Sequence, residues 1–128
     1  MSVETTTAYA EKVAFELPPV KSRYDHYIGG RWVSPNAGEY FDNISPINGQ
    51  VWTQAARGNA ADIDAALDAA HKAFPVWSKT SVVERSNMLL KIADRIEENL
   101  DMLARIETAD NGKALRETTV ADLPLCVD

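Results

Sequence analysis

Thr108 to Lys113, T-A-D-N-G-K, is the most unusual polar cluster of the chain, and it sets one carboxylate, Asp110, beside an Asn111-Gly112 turn. Two kinds of chemistry suit it. At a helix end, Asp110 and Asn111 would accept the N–H groups of the turn, with Lys113 well placed for the helix dipole. Taken with the irregular Asn43-Ile44-Ser45-Pro46 stretch, the same aspartate would complete a different site, because backbone carbonyl oxygens plus one carboxylate are what a hard cation selects. Other candidates offer less. Cys126 would be a nucleophile only beside a base, and neither His26, in an expected hairpin, nor His71, on an expected helix surface, is tied to it. The cysteine reads as a small buried apolar residue, and the histidines as solvated or hydrogen-bonded structural residues. Asp62, Asp64 and Asp68 fall on the polar side of one helix, and Glu97, Glu98 and Asp101 form a charged run, so both groups are solvated faces rather than acid–base pairs.

Phosphate-cradling loops are missing from the sequence. There is no G-x-G-x-x-G, and Gly112-Lys113 lacks the glycine that a G-x-x-x-x-G-K-[ST] loop places five positions earlier. Trp32, Trp52 and Trp77 have no interleaved basic residues, which favours packing over stacking on bases. Asn43-Ile44-Ser45 matches the N-glycosylation pattern, a chance match in a chain whose first residues carry no secretory signal.

The elements that must hold these residues follow from turn chemistry and periodicity. Residues 1–23, with Thr5-Thr6-Thr7 and Pro18-Pro19, have no apolar period and are expected to be a flexible arm. Gly29-Gly30 marks a two-residue hairpin turn after Tyr24, and Asn48-Gly49 a type I′ turn between strands at Glu39 to Ile44 and Val51 to Ala56. Asn59, with Asp62 three residues on, opens a helix whose Ile63, Leu67, Ala70, Phe74 and Trp77 form one stripe, and Pro75 is expected to end it near Phe74. Ser81 and Glu84 read as a capping box for a second helix, 81 to 110, with Val82, Leu89, Ile92, Ile96 and Leu103 on one face and a break near Asn99. Asn111-Gly112 stops it, and a last helix containing Pro124 runs from Ala114 to Asp128.

Composition bounds the function. The 13 Lys+Arg against 19 Asp+Glu leave a net charge of −6 with no basic stripe, which disfavours nucleic acid and anionic membranes as partners. One cysteine excludes an internal disulfide, no stretch approaches a bilayer-spanning length of about 20 apolar residues, and the start lacks a signal peptide, so a cytoplasmic chain is expected. Leu125, Cys126 and Val127 end the sequence without a stop signal, and the helix stripes exceed what two short hairpins could cover. The chain therefore reads as part of something longer.

Five strings together carry a resemblance. Y-I-G-G-R-W-V, F-D-N-I-S-P-I-N-G-Q-V, D-I-D-A-A-L-D-A-A-H-K-A-F-P-V-W, E-R-S-N-M-L-L-K-I-A-D-R-I-E-E-N and E-T-A-D-N-G-K-A-L-R-E-T resemble, in order and spacing, the opening of an NAD(P)-dependent aldehyde dehydrogenase. A-D-L-P-L-C-V-D is similar to the bacterial acetaldehyde-type branch. The resemblance implies an α/β fold, with residues 24–128 as the N-terminal part of the cofactor-binding domain and the helices 59 to 74 and 81 to 110 packed on one face of its sheet. It implies a parent enzyme that oxidises a short aliphatic aldehyde such as acetaldehyde to a carboxylic acid with NAD, or with NADP in its place. A cysteine thiolate attacks the carbonyl, hydride passes to the nicotinamide and a glutamate activates water. None of the catalytic or cofactor-binding residues falls in this chain, and Cys126 does not inherit the nucleophile's role, so the 128 residues alone are expected to be inactive. The parent is expected to be a homo-oligomer. Within the covered part, the resemblance assigns a structural monovalent cation, K+ or Na+, to oxygens of Asn43, Ile44 and Asp110. Ala109 departs from the bulkier residue expected before that aspartate. The competing reading from residues alone is a stand-alone module that binds a protein partner with its exposed apolar helix faces.

Overall fold

The computed structural model describes residues 18–128 and is mixed α/β, as the sequence reading expects. Most of the expected arm, up to residue 17, lies outside the described residues. Its end is a correction: Arg23–Tyr24 forms β1, which pairs in parallel with β5 (Val51–Ala56), and Lys21 C=O accepts from Thr53 Oγ1 at 2.8 Å. The lack of an apolar period hid this, because a two-residue strand held by main-chain bonds needs none.

β2 (His26–Ile28) and β3 (Arg31–Val33) form the first hairpin around Gly29 and Gly30, whose φ angles of 61° and 79° are those of the expected turn. β4 (Tyr40–Ile44) pairs antiparallel with β5, giving the order β1-β5-β4. Here the expected Asn48-Gly49 type I′ turn is corrected. Gly49 alone takes a positive φ, 70°, and the connection is a longer loop closed by Gly49 N–H to Ser45 C=O at 2.8 Å and Ser45 N–H to Gln50 C=O at 3.0 Å. Pairing stops at Ser45 because its side chain is engaged by the helices. One register step is lost just before the loop: Asn43 faces Thr53 and Ile44 faces Val51, so Trp52 is the extra residue of a bulge.

α1 (Ala60–Trp77) starts where the sequence places it. Asn59 accepts from Ala61 and Asp62 N–H, and Asp62 Oδ2 accepts from Asn59 N–H at 2.9 Å. Asp62 Oδ1 also accepts Asn36 N–H at 2.8 Å, which ties the helix start to the loop after β3. This corrects its assignment to a solvated face: Asp62 is buried. The expected stop at Phe74 is corrected too, because the helix continues through Pro75 to Trp77. So close to the end, proline forfeits only the bond its N–H would have given His71, and Ser78 N–H still reaches Phe74 C=O at 2.8 Å.

α2 (Val82–Glu98) carries the Ser81–Glu84 capping box and breaks at Asn99, whose Nδ2 donates to Arg95 C=O. α3 (Leu100–Asn111) ends in the left-handed Gly112, φ 78°. The last stretch is α4 (Leu115–Glu117), a π turn over Thr118–Asp122 and α5 (Leu123–Val127). Leu123 N–H reaches back to Thr118 C=O, so the ladder slips by one residue immediately before Pro124, which has no N–H for Val120.

Very little is buried. Among the described residues the buried hydrophobic side chains are Ala104, Ala109 and Leu123, joined by Ser45, Thr53, Asp62, Thr108 and Thr118. The stripes of α1 and α2 are bare: Phe74 is 63% exposed and Leu89 68%.

Two hydrogen-bonded carboxylates make the caps testable. Asn59 N–H, then Asn36 N–H and the nearby His26, hold the Asp62 carboxyl below its ordinary value, against the opposing effect of desolvation. A depressed carboxylate stabilises the fold above its ordinary value, near pH 4, and that contribution is lost as pH falls through the depressed one. Urea titrations of the wild type and Asp62→Asn should therefore differ near neutrality and converge in acid; Ser81→Ala should cost about 1 kcal/mol near neutrality and less in acid, because the Ser81 hydroxyl donates to the Glu84 carboxylate and holds it below its ordinary value.

Candidate cation site

The end of α3 and the end of β4 meet, although 67 positions separate Asn43 from Asp110. Asn43 Nδ2 donates to Asp110 Oδ1 at 2.6 Å, across an exposed edge of the molecule. Immediately beneath, Ser45 Oγ donates to Ala109 C=O at 2.6 Å, and both residues have zero exposure. Ile47 N–H approaches the same hydroxyl at 3.4 Å. Of the three residues expected at the site, the structure joins Asn43 to Asp110, and Ile44 follows Asn43 on β4 where the ladder with β5 is irregular.

Local sequence explains each position. Gly112 can take φ 78° without strain, which turns the chain away directly after Asp110 and Asn111. A β-carbon there would also sit 3.0 Å from Pro46 Cγ, so the loop of the second hairpin lies hard against the turn. Asn111 Oδ1 accepts from Lys113 N–H at 2.7 Å, the side-chain turn expected of asparagine at a helix end. Ala109 is fully buried, and its carbonyl accepts the Ser45 hydroxyl.

Electrostatics divide the cluster. Lys113 turns to Asp122 at the end of the π turn, and that ion-pair hydrogen bond, reinforced by the charges of Asp122, Glu107 and Glu117 against partial desolvation, raises the ammonium above its ordinary value. Asp110 receives no cationic side chain among the described residues. It lies in the last turn of α3, where the carbonyl ends of the helix are already negative and no basic residue offsets them. A carboxylate, an amide oxygen and the carbonyls of β4 opposite the bulge are donors of the kind a hard cation selects.

The remaining candidates stay apart. Cys126 is exposed on α5, a correction to its expected burial. His71 is exposed on α1, and His26 Nε2 lies 3.9 Å from Asp62 Oδ2. No group of three or more His, Cys, Asp or Glu residues is placed to hold a metal among the described residues. Trp32 packs edge-on against Tyr27, centroids 5.2 Å apart, with the Lys21 ammonium 4.9 Å from its ring centroid. Sequence reasoning missed Ser45, whose one visible signal was a glycosylation match, and missed the Thr108–Thr118 hydroxyl pair at 3.0 Å, which has no periodic signature.

Hairpins lead into capped helices, and the D-N-G-K turn closes on the second hairpin. Residues 32–128 match the aldehyde dehydrogenase family, and the chain belongs to that family. An aldehyde dehydrogenase of Deinococcus radiodurans is 65% identical over 108 residues, 84% of this chain and 21% of that protein. Acetaldehyde dehydrogenase 2 of Cupriavidus necator is 56% identical over 110 residues, 86% of this chain and 22% of its own length. In three dimensions the crystal structure of PnpE in complex with nicotinamide adenine dinucleotide superposes with a TM-score of 0.77 at 42% identity, covering 79% of this chain and 21% of PnpE. An NAD-dependent aldehyde dehydrogenase from Sinorhizobium meliloti gives 0.79 at 33% identity, over 85% and 22%. The chain thus spans about a fifth of the relatives it matches.

Two substitutions probe the joint. Ser45→Ala strands the buried Ala109 carbonyl and should cost about 1–3 kcal/mol. Gly112→Ala meets both a left-handed backbone and Pro46, and should cost at least about 1 kcal/mol. Denaturant unfolding measures both, and broadened amide resonances at 43–50 would report the loosened loop.

Proposed function

We propose that these residues form the N-terminal part of an NAD-dependent aldehyde dehydrogenase, in which they are scaffold for the cofactor-binding domain and carry no catalytic group. The observation that carries this is the bare apolar face. Ile63, Leu67 and Phe74 on α1 and Leu89 and Ile92 on α2 are each more than half exposed, more than a free surface of this size normally leaves uncovered. In a family whose members are about four times as long, those stripes have a sheet to lie on. The parent converts aldehyde, NAD and water to carboxylic acid and NADH. The nicotinamide and nucleophile sites belong to the part of the relatives that this chain does not span, consistent with a sequence that has no glycine-rich phosphate loop. NAD is the favoured cofactor over NADP because PnpE is solved with it. A short aldehyde is favoured by the acetaldehyde dehydrogenase of Pseudomonas aeruginosa, 61% identical, although a long-chain-aldehyde dehydrogenase of Acinetobacter is 58% identical. A cytoplasmic homo-oligomer completes the reading.

We further propose that Asn43, Ile44 and Asp110 hold a structural monovalent cation, K+ or Na+. Asp110 would supply a carboxylate oxygen, and Asn43 and Ile44 on β4, opposite the bulge, would supply theirs. The ion would neutralise a carboxylate that otherwise adds to the negative end of α3.

The test begins with the coding DNA beyond codon 128. If the frame continues, the long protein should generate NADH from acetaldehyde faster than from a long-chain aldehyde, and the 128 residues should generate none and bind ANS through their bare faces. A stop codon after Asp128, with a monomeric product that melts cooperatively, would move the reading to a partner-binding module. Selectivity for the long-chain substrate would overturn the acetaldehyde assignment alone.

A further inference from the structure

Asp110 is set by what lies on its two sides. Toward the sheet it meets Asn43, and Ser45 anchors the preceding residue. Toward the C-terminus the chain must be held after the left-handed Gly112, and here the tie is ionic: the Lys113 ammonium pairs with Asp122 Oδ2, a buried carboxylate oxygen at the end of the π turn. Lys113 is about half exposed and Asp122 about a quarter, so the pair is partly shielded from solvent. It links positions nine apart in the chain, joining the turn that carries Asp110 to a helix that is itself tied to α3 by Thr108 and Thr118. The π turn aims Asp122 at this position, because the slip of the ladder before Pro124 rotates the residues that follow relative to those before.

The Lys113 ammonium pairs with Asp122, and among the described residues no ion pair joins it to Asp110, the carboxylate assigned to the cation. Resting on that assignment, we propose that Lys113 and Asp122 are positioning residues for the cation site: their ion pair fixes the turn after α3, so that the Asp110 carboxylate stands at the bulge of β5 with its charge unclaimed by lysine. Neither residue touches the ion. Their effect is on its affinity, through the geometry of the aspartate.

The experiment follows the thermal midpoint of the full-length dehydrogenase as KCl replaces choline chloride at constant ionic strength. The concentration of K+ at half-maximal shift is the readout, independent of activity. Asp110→Asn should abolish the shift. Lys113→Met and Asp122→Asn should each raise the half-maximal concentration at least about tenfold, the usual size for a group that orients a ligand. The double variant should be no worse than either single one, because the two side chains act as a unit, and Lys113→Arg should stay near the wild type. A wild type indifferent to K+ would overturn the cation assignment and this inference with it. A wild-type response that persists unchanged in Lys113→Met and Asp122→Asn would overturn the positioning role alone. Recovery of K+ affinity in the double variant would overturn it too, by showing that freed lysine competes with the ion. Should Lys113→Met fail to fold, Asp122→Asn and Lys113→Arg still decide between these outcomes.

Discussion

The hydroxyl of Ser45 joins the strand half of this chain to the helical half. It donates to the Ala109 carbonyl at 2.6 Å in a position with no solvent access at either end. A neutral hydrogen bond of this kind adds only about 1 kcal/mol, but a buried carbonyl left without it loses more than that, so geometry that preserves the bond is strongly favoured. What surrounds it follows. Pairing between β4 and β5 must end at Ser45, the loop to Gln50 must be longer than a two-residue turn, and Gly112 must approach Pro46 with no side chain of its own. Asn43, two residues earlier, then donates to Asp110.

A joint made of polar groups is a consequence of what the rest of the chain does with its apolar side chains. With Ala104, Ala109 and Leu123 as the buried hydrophobic residues, transfer from water contributes little here compared with the several kcal/mol that a handful of buried Leu or Ile would supply. The large residues point outward on α1 and α2, and the groove between α2 and α3 is lined by Ile92, Ile96, Met102 and Leu103. Hydrogen bonds and caps therefore set the local geometry of these elements, and burial of their faces must come from surface beyond them.

Where the sequence could be read, the signal was local and chemical. Asn59 with Asp62, Ser81 with Glu84, Gly29-Gly30 and Asn111-Gly112 each act within four residues, and each stands where expected. Failures share a different origin. Pro75 did not end α1, because a proline one turn from a helix end removes a single bond. Asn48-Gly49 did not make a type I′ turn, because Ser45 is claimed from 64 positions away. The π turn answers to Pro124 and Thr118 together, and the pair of Lys113 with Asp122 needs that turn to exist. Of the candidate site, the composition of the donor set was legible in Asn43, Ile44 and Asp110; its anchors were not, because a serine and two threonines carry no periodic mark until the chain has folded.

Charge explains why the aspartate stands there at all. Asp110 occupies the last turn of α3, the end at which backbone carbonyls already accumulate about half a negative charge, and acidic residues belong by preference at the opposite end. The usual remedy is a lysine or arginine in the last turn, yet α3 has none, and the nearest lysine, Lys113, is directed to Asp122. Asn43 can donate one hydrogen bond but brings no charge. An unfavourable carboxylate kept at a helix C-terminus, with the neighbouring cationic side chain held elsewhere, is the arrangement in which a bound cation stabilises most. The ion would satisfy the carboxylate, the helix end and the interrupted ladder at once. A cation held there, as proposed, would complete the joint that Ser45 begins by joining the end of α3 to β4.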